Sequence, residues 1–108
     1  MFTLQDNNIT LTRGDSFALG LVLAGRAVPE GAQGLFTVKA SARSGEALIE
    51  KRVPVTGGGA VVALSPGDTR DLPFRTYLWD FRVIGPDGTV STPMAAAAFT
   101  VAEVIGDA

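Results

Sequence analysis

Period-two alternation runs through most of this chain, and most cleanly through Arg75-Thr76-Tyr77-Leu78-Trp79-Asp80-Phe81-Arg82-Val83-Ile84. Successive side chains of an extended strand point to opposite faces. Tyr77, Trp79, Phe81 and Val83 therefore share one face, and Thr76, Leu78, Asp80, Arg82 and Ile84 share the other. The aromatic face belongs inside, where each fully buried ring contributes roughly 1.5–3 kcal/mol before conformational entropy is counted.

The same period marks the other segments. Ile9 and Leu11 alternate with Thr10 and Thr12. Phe17, Leu19, Leu21 and Leu23 form a stripe opposite Ser16, Ala18, Gly20 and Val22. Phe36, Val38 and Ala40 form another, opposite Thr37, Lys39 and Ser41. Residues 47–53 predict a strand near a sheet edge, because its charges are dense. Residues 60–64 predict a further strand, 89–92 a short one, and about 95–104 a long one with Phe99 and Val101 inward.

The punctuation between these runs agrees. Pro86-Asp87-Gly88 predicts a hairpin turn of type I with a left-handed glycine. Gly57-Gly58-Gly59, Val28-Pro29-Glu30-Gly31 and Ser44-Gly45 predict bends, and Gly106-Asp107-Ala108 a frayed tail. Ser65-Pro66-Gly67-Asp68 supplies a helix N-cap, a proline at the first helical position and an acid in the first turn. It predicts one helical turn over 66–71, ended before Pro73. Seven or eight short strands with turns between them predict an all-β fold. The expected form is an immunoglobulin-like antiparallel β-sandwich, one domain over residues 1–108.

Composition narrows the function classes. The chain has no His and no Cys, which removes the side chains most used for proton transfer, nucleophilic attack and transition-metal ligation. Enzymatic activity is not expected, nor is a cofactor or a metal. The net charge is −2 and the pI about 4.9, against the basic face that nucleic-acid binding needs. No targeting segment or membrane-length apolar run is visible, so cytoplasmic synthesis is expected.

Four motifs invite functional readings, and each has a simpler structural one. Arg13-Gly14-Asp15 spells an adhesive tripeptide, yet falls between two strand runs where a glycine lets the chain bend. Asn8-Ile9-Thr10 fits the glycosylation acceptor pattern, yet reads as a strand start. Asp68, Asp71 and Asp80 lack the oxygen density of a calcium loop; they fit a capping acid, a turn residue and an outward strand residue pairing across strands with an arginine. No two acids are visibly brought together. Tyr77, Trp79 and Phe81 would make a sugar-stacking platform only if exposed.

Three stretches carry a resemblance: residues 8–16 (NITLTRGDS), 35–52 (LFTVKASARSGEALIEKRV) and 64–83 (LSPGDTRDLPFRTYLWDFRV), closed by Asp87-Gly88. The pattern is a strand with the Arg13-Gly14-Asp15 turn, a Phe36-Thr37-Val38-Lys39 strand and an Ile49-Glu50-Lys51 arm. A Pro66-Gly67-Asp68-Thr69 capped turn and a strand with Tyr77 and Asp80 follow. It resembles the N-terminal domain of the phage baseplate upper protein, among small tailed-phage and prophage proteins. The resemblance implies an immunoglobulin-like building block of a virion, made in the host cytoplasm. Its partners would be other virion proteins and copies of itself, not a membrane, nucleic acid or small-molecule substrate. The alternative is a host-surface or carbohydrate-binding β-sandwich module.

Candidate interface residues follow from the alternation. Leu78 and Ile84 lie opposite the aromatic face, as do Val22 and Leu35 in their strands; left exposed, they would form the apolar patch of an interface. Phe2 and Leu4 belong to an N-terminal segment that either adds as a strand to a neighbour's edge or pairs within its own sheet.

Overall fold

In the computed structural model the described residues are 2–5, 8–22, 31–41, 43, 45–56 and 59–102, with only the backbone described at 2–5, 22 and 93–96. Eight strands are present among them: β1 (Phe2–Gln5), β2 (Asn8–Thr12), β3 (Phe17–Val22), β4 (Gln33–Lys39), β5 (Ile49–Pro54), β6 (Gly59–Leu64), β7 (Arg75–Ile84) and β8 (Val90–Ala102). A single helical turn, α1 (Pro66–Thr69), joins β6 to β7. The strands form a six-stranded sheet in the order β1-β2-β8-β7-β4-β5 and a two-stranded sheet, β3-β6. The fold is an all-β sandwich with unequal layers. All pairings are antiparallel except β2 with β8, which run parallel.

The core lies where the alternation puts it. Tyr77, Trp79, Phe81 and Val83 of β7 face inward with Phe36 and Val38 of β4, Phe99 and Val101 of β8, and Ile9 and Leu11 of β2. Leu19 and Leu21 of β3 and Val62 and Leu64 of β6 cover them from the second sheet. Phe36 is the hub of the rings, its centroid 5.4 Å from Trp79 and 6.3 Å from Phe99, both in the tilted or edge geometries that aromatic quadrupoles favour.

Two expectations change at the level of elements, and one open alternative is resolved. The strands expected at 89–92 and about 95–104 are one strand, β8, of 13 residues. Register shifts opposite Trp79–Phe81 and Phe81–Val83 absorb extra residues as bulges, and Pro93, which has no N–H to donate, falls in that irregular stretch. The N-terminal segment pairs within its own sheet, Phe2 beside Leu11 and Leu4 beside Ile9. The helical turn ends at Thr69 rather than at residue 71. Leu23, Val28-Pro29-Glu30, Ser44, Gly57-Gly58 and the 106–108 tail lie outside the described residues.

The turns keep their predicted chemistry. Gly14 and Gly88 have φ of 85° and 88°, the left-handed region that glycine enters without steric cost. Asp87 accepts a 3.0 Å hydrogen bond from the Thr89 N–H within the turn, and the Gly85 N–H, bonded to the Thr89 carbonyl at 2.8 Å, closes the β7–β8 hairpin.

One glycine is required by packing. Gly34 of β4 lies beside Val83 in register and is buried, and a Cβ built there would run into the Phe81 ring. Gly34→Ala must therefore displace a fully buried aromatic. We expect a loss of about 1–3 kcal/mol in unfolding free energy, measured by urea titration followed through Trp79 emission.

Candidate functional site

Two regions concentrate polar chemistry. The first is the end of the sandwich around α1. Asp68 accepts hydrogen bonds from the Ser65 N–H at 2.7 Å and the Ser65 hydroxyl at 3.2 Å, and pairs with Lys51 at 3.0 Å. Thr69 is fully buried, and its hydroxyl accepts the Gly14 N–H at 3.0 Å, tying α1 to the turn between β2 and β3. Tyr77 donates its hydroxyl to the Pro73 carbonyl at 2.8 Å. Burial pushes the Tyr77 phenol above its ordinary pKa, against a smaller opposing effect of Arg75.

Arg13-Gly14-Asp15 is part of this end. The Arg13 guanidinium lies 4.1 Å over the Phe74 ring, and the Asp15 N–H is bonded back to the Thr12 carbonyl. The tripeptide is a pinned turn, with all three residues half-buried. Asn8 likewise serves strand pairing, its side-chain oxygen accepting the Ala98 N–H at 3.1 Å.

The second region is the outer face of the six-stranded sheet. An open groove of about 340 Å³ runs over β4, β5 and β7, bordered by Leu35, Thr37, Lys39, Glu50, Leu78, Asp80 and Arg82. Its floor follows from register. Thr37 lies beside Glu50 on one side and Asp80 on the other, while Leu35 lies beside Arg52 and Arg82. The structure thus brings Glu50 and Asp80 into one row, two strands apart, which their 30-residue separation in sequence does not reveal. Asp80 pairs with Arg82 of its own strand, Oδ2 to Nε at 3.6 Å, rather than with an arginine across strands. Its other oxygen, Oδ1, is buried without a hydrogen-bond partner. An acceptor left in that condition costs about 1–3 kcal/mol.

Of the candidate interface residues, Leu78 borders this groove and Ile84 lies further along the same face, both half-buried. The side chains of Phe2 and Leu4 lie outside the described residues. Tyr77 and Trp79 are each 2 % exposed, so neither offers a stacking surface. A second depression, between β3, β6 and the end of β5, is lined without ionisable groups. Among the described residues no cluster of three or more acids could hold a metal, and no helix is long and apolar enough to cross a membrane. Comparison of the chain with protein-family models, with curated proteins and with solved structures gives no match.

The Asp68 network predicts an acid-labile contribution to stability. Partial burial works to raise this carboxyl, but the Ser65 hydrogen bonds and the Lys51 ion pair together outweigh it and hold its pKa below the ordinary 3.8. Because the folded value is the lower one, the stabilisation is present above the unfolded pKa and is lost as pH falls through the folded value. Asp68→Asn should cost about 1–2 kcal/mol at neutral pH. The difference from the parent should shrink once the pH is below the folded value, where both side chains are neutral. Urea titrations at the two pH values measure this; an equal cost at both would refute it.

Proposed function

We propose that this chain is a structural module of immunoglobulin-like type, whose work is done by its surfaces. More particularly, it serves as a virion component of a tailed bacteriophage or prophage, in the baseplate, tail or neck, and acts through protein–protein assembly contacts. Its partners are then other virion proteins and copies of itself.

The immunoglobulin-like type is supported by strand order. In that architecture strands G, F and C form one sheet, C′ extends it in the variable type, and B pairs with E in the other. Here β8, β7, β4 and β5 follow one another in the large sheet, and β3 pairs with β6. Tyr77 stands near the start of β7 and bonds its hydroxyl to a carbonyl four residues upstream, the geometry of a tyrosine corner. Trp79, two residues on, stands where antibody domains carry the second cysteine of their disulfide.

One observation carries the assembly reading. The outer face of the large sheet has no layer over it among the described residues, and it presents half-buried Leu35, Leu78 and Ile84 amid charged side chains. These three are not an exposed apolar patch, but an uncovered face that mixes apolar and charged groups suits a protein partner. The particle itself is suggested by the resemblance of residues 8–16, 35–52 and 64–83 to the phage baseplate upper protein. A carbohydrate-binding module is less well supported, because Tyr77 and Trp79 are inside and the groove offers no exposed ring.

The test is whether the chain travels with particles. Phage particles released from the encoding cell are banded on a density gradient and their proteins identified by mass spectrometry. We expect peptides of this chain in the particle band at a fixed ratio to the other tail proteins. Recovery from the soluble fraction alone would overturn the proposal.

A further inference from the structure

We propose that the outer face of β5, β4 and β7 is an isologous interface, covered by a second copy of this chain related by a two-fold axis running across the strands. The inference deepens the assembly reading and rests on it. Its basis is the order of charges along the strands.

Register arranges the face in cross-strand rows, roughly 7 Å apart because alternate residues face the same way. One row is cationic, with Arg52, Leu35 and Arg82; the next is anionic, with Glu50, Thr37 and Asp80. A two-fold axis midway between these rows lays each onto the other. Arg52 of one copy then faces Glu50 of the second, and Arg82 faces Asp80, each on the same strand of its own copy. The flanking rows also correspond. Ile84 is beside Gln33, and Leu78 is beside Lys39, so the same rotation sets Ile84 over Leu78. Symmetry repeats every contact, giving four arginine–carboxylate pairs and two apolar contacts.

In the single chain Arg52 donates to Gln33 Oε1 at 2.9 Å, while Asp80 and Arg82 are underused. Asp80 Oδ1 has no hydrogen-bond partner. Arg82 is 52 % exposed, and its Nε approaches Asp80 Oδ2 at 3.6 Å, longer than a good hydrogen bond. Sheets stacked face to face lie about 10 Å apart with strands near −30°, a gap that paired long side chains span.

The test is sedimentation of the chain over a concentration series. It is run beside a face-positive variant, Glu50→Arg with Asp80→Arg, and a face-negative variant, Arg52→Glu with Arg82→Glu. The parent should form a dimer that weakens in high salt. Each variant alone should dimerise roughly thirtyfold or more weakly, and an equimolar mixture should recover dimer of mixed composition. Trp79 emission reports whether each variant is folded. Should the Asp80 substitution unfold the chain, Glu50→Arg and Arg52→Glu, both at exposed positions, make the same complementary test. A parent that stays monomeric, variants that dimerise as well as the parent, or a mixture that recovers nothing would each overturn the interface. Self-association that ignores the charge reversals would overturn this face while leaving the assembly reading standing. Absence from particles would remove the virion reading while leaving the dimer standing.

Discussion

The packing of Trp79 against Phe36, with Phe99 at the edge of the same ring cluster, fixes the register of the three central strands. Tyr77 lies beside Phe99, Trp79 beside Val38, and Phe81 beside Phe36. A slip of one residue in β7 would send all three rings to solvent and bring Leu78, Asp80, Arg82 and Ile84 inside. The Asp80–Arg82 pair would then be taken out of water, at a desolvation cost no local gain offsets. The core therefore dictates the outer face. Arg82 sits beside Leu35, and Asp80 beside Thr37, because the aromatic residues between them have only one acceptable alignment.

The end of the sandwich around α1 holds this arrangement in a different way. Lys51 has the inward parity of β5, together with Ile49 and Val53, so a charge there threatens the core margin. Its ammonium instead reaches Asp68 on the helical turn, linking the large sheet's edge to the connection between β6 and β7. Asp68 in turn caps its own turn through Ser65, and the adjacent Thr69 accepts the Gly14 N–H. Arg13 packs over Phe74, and Tyr77 returns to Pro73. In a chain without disulfides, these contacts, local and long-range, order the connection that leads into β7.

Much of the fold is legible in the sequence because the governing signals are local. Alternation marks β7 and the inward faces of β2, β3 and β4; Ser65-Pro66-Gly67-Asp68 announces its cap; Asp87-Gly88 announces its hairpin. The charge density of Ile49-Glu50-Lys51-Arg52 marks an edge strand, and β5 is one. What the sequence conceals is pairing between distant segments. The parallel contact of β2 with β8 joins residues about 90 apart and leaves no local trace. The continuity of β8 is hidden because Pro93 and the bulges interrupt the alternation that would reveal it. The outer groove is hidden for a third reason: Glu50 and Asp80 become neighbours only through Thr37, once two strand registers are set. Alternation placed Leu78 and Ile84 on that face, but not the charge rows among them.

In the proposed dimer those rows also give the outer face selectivity. Specificity rests on what the wrong arrangements cost as much as on what the right one gains. If the second copy slides by one row in either direction, the two-fold axis falls on a row instead of between two. Slid one way, Glu50 and Asp80 meet their own symmetry mates, and Arg82 meets the row of Lys39 and Leu78. Slid the other way, Arg52 and Arg82 meet their own mates, and the acids face Gln33 and Ile84. Each slipped register puts like charges together and parts Ile84 from Leu78. A uniformly apolar face would tolerate every one of these offsets. The alternation of charge along β5 and β7 favours the proposed alignment over its one-row slips, which is what the proposed assembly role requires.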